Sequence, residues 1–381
     1  MTKPLPTATH PGVCPGFARR PRAAAWLVVG MALGAPASPV AAGTVTSPLF
    51  NHAAGTLVSD GSRLLLHSAY AWAPGAAYSG YDQLEIYDPA TDAWHTAATV
   101  PGGGSYAAGA VLNNVFYAIG GEAYQWNVRS SVYGYDTQTD QWSTKASYPE
   151  QVFGHAAAAL NGKIYSLGGQ NGWLPDQLSS NTVYEYDPAT DRWTQKAALP
   201  FAVRNTPAQI HGGKLYVFGG VGANGQPQPQ VQIYDPVLNQ WSLGASMPAA
   251  AFPGSAFFGF LASVVSGDQA YVFSQPHNQN DLDAVLDEMF VYDFANDSWT
   301  MQGLAGFLPL DQISLVSGAA LIDNRVYFMG REGDGWSNRN EPSTLYTLEL
   351  VPAPAPVLLL GAGLIGLVSL RRGRRTRALP T

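Results

Sequence analysis

"YDPATDAW", residues 87–94, opens with a Tyr-Asp-Pro turn sequence and closes on a tryptophan. Four later stretches keep this outline: "YDTQTDQW" (135–142), "YDPATDRW" (186–193), "YDPVLNQW" (234–241) and "YDFANDSW" (292–299). In every copy the Tyr and the Trp are seven residues apart, and the five tryptophans are separated by 48, 51, 48 and 58 residues. A period of this length is typical of proteins whose repeated unit is one supersecondary structure.

A second signal precedes each tyrosine. It reads "VFYAIGG" (115–121), "KIYSLGG" (163–169) and "KLYVFGG" (214–220), with weaker forms "RLLLHSA" (63–69), "AYVFSQ" (270–275) and "VYFMGR" (326–331). A strand of small residues comes earlier still, as in "GHAAAALNGK" (154–163). Each unit therefore predicts four strands, with a Gly-Gly pair after the second and an Asp-Pro turn between the third and fourth. No amphipathic helical pattern interrupts the series.

The residue types fit this interpretation physically. Pro89 fixes φ in the turn, and Asp88 accepts hydrogen bonds from backbone donors. Tyr87 and Trp94 then fall on paired strands, where their apolar area can be buried against a neighbouring unit. Gly120 and Gly121 permit a backbone approach that a Cβ would block. Because no Asp-x-Asp-x-Asp-Gly loop is present, we expect the turn aspartates to cap the turn rather than bind calcium, and we predict no metal or cofactor.

The Gly-Gly pair followed by Tyr and, seven residues later, Trp resembles the kelch repeat, which builds the blades of β-propellers. The resemblance covers residues 52–350 and implies an all-β, six-bladed propeller. The sixth blade ends with "LYTLEL" (345–350) as its third strand. We expect "GTVTSPL" (43–49), the N-terminal strand of the mature chain, to supply its fourth strand and so to close the ring. The propeller domain is thus predicted to span 43–350.

The N-terminal segment, residues 1–42, has the pattern of a signal peptide. Three arginines (Arg19, Arg20 and Arg22) precede an apolar run from Ala23 to Ala35. Small residues at Val40 and Ala42 suit cleavage before Gly43, and Ala35–Ala37 offers a second site. The alternative is a buried N-terminal helix.

The C-terminal segment, residues 351–381, has three parts: "VPAPAP", the apolar run 357–370, and an arginine cluster. It resembles the PEP-CTERM sorting signal of Gram-negative bacteria, although Ala353 stands where the family usually has Glu. The resemblance implies processing by an exosortase and a final place at the cell surface or in the extracellular matrix. Fourteen residues rise ~21 Å as a helix, which suits transient inner-membrane anchoring with the arginines in the cytoplasm. A plain membrane anchor is the alternative.

Charge and cysteine content exclude several classes of function. The net charge of −7 conceals an acidic body, because the two ends hold nine basic residues and no acids, and residues 43–350 carry a net −16. We expect such a surface to repel nucleic acid and anionic membrane surfaces; the alternative is that the acidic residues serve only solubility. Cys14 is the only cysteine and lies in the predicted signal peptide. The body therefore has no disulfide and no cysteine nucleophile, and it lacks the Tyr–Cys crosslink that kelch-like copper radical oxidases need.

The irregular connections are predicted to share one face of the propeller. In a four-stranded antiparallel meander the connection between strands two and three and the connection to the next blade lie at the same end, and loops carry function disproportionately. Aromatic and polar residues fall in these connections. The candidate ligand-binding residues are Trp126, Trp173, Trp336, Tyr124, His52, His155, Arg129, Arg204, Arg331 and Glu332. The alternative is that each aromatic ring packs within its own loop.

Three functional classes remain open. The first is a non-catalytic module that recognises protein or polysaccharide outside the cell, with the tryptophans stacking on sugar rings or apolar side chains. The second is a sugar epimerase similar to the sialic acid mutarotases, in which Glu332 with Arg331 or Arg204 would form an acid–base pair. The third is a passive structural component of the matrix. The sequence holds no motif that demands catalysis, and the first class is our prediction.

Overall fold

The structure is a computed structural model, in which the described residues are 39–44, 48, 51–53, 55–72, 81–102, 105–123, 127–172, 179–251, 261–274, 288–303, 313–332 and 344–350. For 39–44, 51–53, 68–72, 81–82, 288, 313–317 and 331–332 this description concerns the backbone alone. The compact unit Pro36–Thr381 contains all of them, and Met1–Ala35 lies outside them.

The fold is all-β, with six sheets of four main antiparallel strands that follow one another along the chain. The first strands of the six blades are β3 (Thr56–Ser59), β7 (Ala108–Leu112), β13 (Ala156–Leu160), β18 (Ala208–His211), β23 (Leu261–Ser266) and β27 (Ile313–Ile322). The second strands are β4 (Leu64–Trp72), β8 (Val115–Ile119), β14 (Lys163–Leu167), β19 (Lys214–Phe218), β24 (Gln269–Ser274) and β28 (Arg325–Glu332).

The outer half of each blade completes the predicted unit. The third strands are β5 (Tyr81–Asp88), β11 (Val132–Asp136), β15 (Val183–Asp187), β21 (Val231–Asp235), β25 (Glu288–Asp293) and β29 (Thr344–Leu350). The fourth strands are β6 (Ala93–Thr96), β12 (Gln141–Lys145), β16 (Arg192–Gln195), β22 (Gln240–Gly244), β26 (Ser298–Gly303) and, in blade six, β1 (Pro39–Thr44). The short strands are β2 (Asn51–Ala53), β9 (Glu122–Ala123), β10 (Asn127–Val128), β17 (Val203–Arg204) and β20 (Val221–Gly222), and the described residues also contain one 3-10 turn, Ala249–Ala251.

The six blades form a closed ring. Consecutive first strands contact one another, and β27 of blade six contacts β3 of blade one. An apolar cluster lies at every junction between neighbouring blades, including the junction of blades six and one, where Tyr87 packs against Tyr327. Burial of these side chains between blades supplies the main driving force for the fold.

An N-terminal strand closes the ring, as predicted, but it lies at a different place in the sequence. β1 runs antiparallel to β29, with Thr44 opposite Tyr346 and Pro39 opposite Leu350. The closing strand is therefore Pro39–Thr44, and the prediction of 43–49 was wrong in its boundaries. The small residues of 39–44 lack the β-branched pattern that marks a strand in isolation, so its pairing depends on the open edge of β29.

Each Tyr–Trp turn links its own blade to the preceding one. The residue two positions before the Trp has left-handed backbone, with φ between 46° and 54°, and this position is held by Asp92, Asp140, Asp191, Asn239 and Asp297. Its Oδ1 accepts the tyrosine hydroxyl of the same blade at 2.5–2.9 Å. In blades two to five the same oxygen accepts the N–H of an alanine in the preceding blade at 2.6–3.0 Å.

The tryptophan completes this contact. Its Nε1 donates to the carbonyl oxygen of that same alanine at 2.7–2.9 Å, and the alanines are Ala98, Ala146, Ala197 and Ala245. We call this arrangement the alanine clamp. It satisfies both backbone groups of an alanine at a blade junction, where unpaired groups would be costly. Tyr and Trp therefore contribute hydrogen bonds between blades as well as the predicted buried area.

The first aspartate of each turn caps it, as predicted. Asp88 Oδ1 accepts the N–H of Ala90 at 2.8 Å, and Asp136 Oδ1 accepts those of Gln138 and Thr139 at 2.8 and 3.1 Å. Within the described ranges, no group of three or more His, Cys, Asp or Glu side chains converges as a metal site would require. Nor does any helix there have the length and apolarity to cross a bilayer. The predicted anchoring segment 357–370 lies outside those ranges.

Candidate functional site

Strand direction divides the propeller into two faces. The hairpin turns between strands one and two and between strands three and four lie on one, which we call the turn face. The connections between strands two and three, and between successive blades, lie on the other, which we call the loop face. The candidate site belongs to the loop face, whose described part is most complete in blades two to four.

The Gly-Gly pairs bring the backbones of adjacent blades together on the loop face. The N–H of Gly121 donates to the carbonyl of Val152 at 2.8 Å, and that of Gly169 donates to Val203 at 2.8 Å, in each case across a blade junction. Gly120 and Gly168 have φ of +61° and +68°. A Cβ on Gly120 would collide with the carbonyl oxygen of Val152, and a Cβ on Gly168 with that of Val203. The predicted close approach is confirmed at these two junctions, and it fixes the positions of the connections that contain Val152 and Val203.

A run of left-handed residues follows these junctions. Tyr106, Gly154 and Asn205 occupy equivalent positions in blades two, three and four. Each lies two residues before the first residue of strand one that faces the end of strand two. Their φ values are +55°, +62° and +52°. The N–H of Gly154 donates to the carbonyl of Tyr106 at 3.0 Å, and the N–H of Asn205 donates to that of Gly154 at 2.8 Å. Left-handed backbone at Tyr106 costs energy that the surrounding structure must supply. The connections of blades two to four are thus held as one hydrogen-bonded arc.

Arg204 is held at the end of this arc. The backbone of Arg204 pairs with Val221 in the β17–β20 ladder. The guanidinium Nη1 donates to Ser179 Oγ at 2.8 Å. Ser179 in turn donates to the carbonyl of Val221 at 2.9 Å and is buried. Partial burial lowers the pKa of Arg204, but a guanidinium remains charged. Among the residues that the structure describes, no carboxylate forms an ion pair with it.

Arg129 occupies a comparable place one blade earlier. Its backbone N–H donates to Gly121 at 2.8 Å, and its carbonyl accepts the N–H of Val152 at 3.1 Å. The residue is partly buried, and its Nη1 lies beside Gly102. In the described part of the chain it has no carboxylate partner either. Two cations of the loop face therefore keep donors available for an acceptor group from outside.

His155 lies inside the junction of blades two and three. Its side chain is 6% exposed and stacks on Tyr148 with ring centroids 5.9 Å apart. Neither ring nitrogen has a hydrogen-bond partner among the described residues, and burial lowers the pKa of the imidazole to about 3. The ring is therefore neutral at physiological pH, and this placement does not favour a contact with a ligand.

The similar stretches "NHAAG" (51–55) and "GHAAA" (154–158) indicate equivalent positions for His52 and His155, but the structure shows that the two residues are not equivalent. Leu64 faces Tyr87 and Ile164 faces Tyr186, which aligns the second strands of blades one and three. In this register Gly55, rather than His52, corresponds to His155. The sequence misled because "NHAAG" and "GHAAA" look alike, whereas the hairpin after β3 is longer than the one after β13.

The remaining candidates are described only in part. His52 lies in β2 opposite Ala71, and Arg331 and Glu332 lie at the loop-face end of β28, opposite Ser314 and Ile313. Their side chains, like all of Trp126, Trp173, Trp336 and Tyr124, lie outside the described residues. Sequence reasoning missed Ser179, because a serine in "LSSN" (178–181) gives no signal that it will hold an arginine.

Comparison with known proteins identifies the repeat. Residues 105–330 match the family described as the KLHDC2/KLHL20/DRC7 Kelch-repeats domain, which is more than half of the chain. The chain belongs to this kelch-repeat family. The matched segment contains the Gly-Gly junctions, the arc of left-handed residues and four of the five Tyr–Trp turns, so the features described above are those of a kelch propeller.

Individual relatives match over shorter stretches. Kelch-like protein 25 of Xenopus tropicalis is 29% identical over 40% of this chain and 23% of its own length. Kelch-like protein 35 of Mus musculus is 30% identical over 39% of this chain and 22% of its own length. The chain thus spans less than a quarter of these relatives. A solved structure titled "Structure of YjhT" is 21% identical, with a TM-score of 0.49, over 62% of this chain and 75% of its own.

Proposed function

We propose that this kelch propeller is an exported recognition module of the cell surface or extracellular matrix, which binds protein or polysaccharide through its loop face. The observation that carries the proposal is Arg204, a partly buried cation whose orientation is fixed by Ser179 and which has no carboxylate partner in the described part of the chain. A guanidinium presents five N–H donors. A side chain held in advance also loses little entropy when a ligand binds.

The acidic body makes this cation selective. Residues 43–350 carry a net charge of −16, so anionic ligands are repelled at a distance. Arg129 and Arg204 offer donors at defined points on the loop face, where an acceptor oxygen of a side chain or a sugar can be bound. A tryptophan platform formed by Trp126, Trp173 and Trp336 would add stacking on a sugar ring. We therefore expect recognition to depend on shape and hydrogen bonding rather than on overall charge.

The positions of the chain ends support attachment through the opposite face. Pro39 at the start of β1 is the Cα partner of Leu350 at the end of β29, and the N–H of Leu350 donates to Asn324 in a turn-face hairpin at 2.7 Å. Segments 1–38 and 351–381 therefore both continue from the turn face. An anchor on either segment, including a tail recognised by an exosortase, leaves the loop face free for a ligand.

Binding tests this proposal. The processed protein, isolated from cells that produce the full chain, is screened against glycans, exopolysaccharides and extracellular proteins. Arg204→Gln is expected to weaken the strongest interaction by about tenfold or more, because a hydrogen bond to a charged group contributes ~1.5–3 kcal/mol and 1.4 kcal/mol corresponds to tenfold. Arg192→Gln, an exposed arginine on β16, is the matched control and should leave affinity unchanged.

The tryptophans provide a second arm. Joint replacement of Trp126, Trp173 and Trp336 by Ala should abolish binding to a sugar ligand and leave the thermal unfolding midpoint in place. Equal effects of Arg204→Gln and Arg192→Gln would contradict the assignment of the loop face. Full binding by the triple tryptophan variant would remove the stacking platform from the proposal.

A further inference from the structure

The closing strand defines how much of the N-terminus the folded propeller uses. β1 has four registered partners on β29: Pro39 with Leu350, Ala42 with Leu348, Gly43 with Thr347, and Thr44 with Tyr346. A register irregularity lies between Pro39 and Ala42. Half of this pairing therefore precedes Gly43, within the segment that the sequence pattern assigns to the signal peptide.

Cleavage before Gly43 would leave blade six incomplete. Two of the four registered pairs would be lost, and the edge of β29 near Leu348 and Leu350 would have no neighbouring strand. Both leucines are buried, at 0% and 2% exposure, in the cluster between blades five and six. An uncovered edge strand beside such a core is a site of aggregation. The pairing thus requires that the mature chain begin at or before Pro39.

A cleavage sequence stands at the required place. Ala35 and Ala37 provide the two small residues of an Ala-x-Ala pattern, directly after the apolar run 23–35. We propose that export processing hydrolyses the peptide bond between Ala37 and Ser38. Water adds across this bond, leaving a carboxylate on Ala37 and an ammonium group on Ser38. The mature chain then starts one residue before the first paired residue of β1, and all four pairs are kept. This inference rests on the proposed export of the protein.

The N-terminus of the processed protein tests the proposal. The full chain is produced in a Gram-negative host, and the exported product is examined by N-terminal sequencing and intact mass. A chain that begins at Ser38 supports the proposal. A chain that begins at Gly43 overturns the cleavage site and leaves export intact. A chain that stays in the cytoplasm with its N-terminus uncut overturns both this inference and the proposed export.

Two matched variants identify the residue that the signal peptidase recognises at the cleavage site. Ala37→Leu places a large residue at the cleavage position, and we expect the uncut precursor to accumulate at least tenfold over wild type. Ala42→Leu makes the same change at the alternative site and should still give a chain that begins at Ser38. The reverse result, with Ala42→Leu blocking cleavage and Ala37→Leu processed normally, would overturn the proposal.

Stability gives an independent readout. A chain in which the leader is joined directly to Gly43, without residues 38–42, is expected to be exported but to unfold at a lower temperature than wild type. It should also aggregate faster, because β29 then lacks part of its outer neighbour. An unfolding midpoint equal to that of wild type would show that Pro39–Ala42 does not close blade six, and would overturn the structural basis of the proposal.

Discussion

The alanine clamp between blades two and three permits a quantitative test at Asp191. Its Oδ1 accepts the Tyr186 hydroxyl at 2.6 Å and the Ala146 N–H at 2.8 Å. Asp191→Ala removes both acceptor contacts and leaves the two donors without their partner. Each hydrogen bond to a charged acceptor contributes ~1.5–3 kcal/mol when well buried. We take the lower value, because the carboxylate lies near the surface, and expect a loss of about 3 kcal/mol.

Backbone conformation adds to this loss. Asp191 has φ of +53°, and a left-handed alanine costs ~1 kcal/mol more than Asp or Asn, whose side chains can hydrogen-bond locally. Asp191→Ala should therefore lower the free energy of unfolding by about 4 kcal/mol. Asp191→Asn should cost about 1 kcal/mol, because blade four already uses Asn239 in the same clamp, accepting Tyr234 at 2.7 Å and Ala197 at 3.0 Å.

The pH dependence separates charge from geometry. The Ala146 N–H, followed by the Tyr186 hydroxyl, lowers the pKa of Asp191 below its usual 3.8. The folded state thus favours the carboxylate, and this contribution to stability is complete above pH ~4 and is lost as the pH falls through the folded pKa. Asp191→Asn should remove that component of acid sensitivity.

Urea unfolding followed by tryptophan fluorescence and by circular dichroism measures these differences. Asp191→Ala and Asp191→Asn are compared with wild type at pH 7 and at intervals down to pH 3. A loss below about 1 kcal/mol for Asp191→Ala, or equal losses for the two variants, would refute the argument that an oxygen acceptor at this position joins the blades.

Two further predictions concern the blade junctions. Gly168→Ala should destabilise the protein by ~3 kcal/mol or more, since its Cβ would collide with the Val203 carbonyl. Gly162→Ala, at φ +74° with open space around it, is the control and should cost only ~1 kcal/mol. Equal losses of stability in chemical denaturation would contradict the close approach of the two backbones. His155→Leu should keep or raise stability at pH 7.5, because it removes two buried nitrogens that lack partners among the described residues. Since the folded pKa of His155 is about 3 and its usual value is 6.5, wild type should lose stability as the pH falls from about 6.5 towards 3, and His155→Leu should lose less; identical pH profiles would show that the ring is hydrated.

The sequence predicted those parts of the fold that depend on recurrent residues. Tyr87, Trp94 and their counterparts recur because the first five blades use the same pair of rings. The Gly-Gly pairs recur in blades two to four, and in blades two and three they bring the backbones of adjacent blades together. The residue two positions before each Trp recurs too, as Asp in four turns and as Asn in one. A pattern of chemical type rather than identity was therefore visible in the quoted stretches, and it was overlooked because the first aspartate explained the turn.

The boundaries of the closing strand could not be read in the same way. Residues 39–44, "PVAAGT", carry neither the Tyr–Trp pair nor alternating large side chains. Their pairing is decided by the open edge of β29, which is a long-range property of the ring. The alignment of His52, instead of Gly55, with His155 had a similar origin. The hairpin after β3 contains more residues than the one after β13, and this difference shifts the register of the residues that precede it.

The proposed ligand site lies at positions whose residues do not recur from blade to blade. The alanine clamp of blades two to five, the turn caps and the Gly-Gly pairs of blades two to four hold backbone groups, and they recur because these blades pack against one another in the same way. Arg129 has Ser180 as its counterpart in blade three, and Arg204 has Phe153 and Ser105 in the preceding blades. Such positions lie on a backbone whose geometry is already fixed, so their side chains can vary without loss of the fold. A partly buried arginine at one of them, supported by Ser179 and not required by the ring, is the kind of residue that recognition would retain.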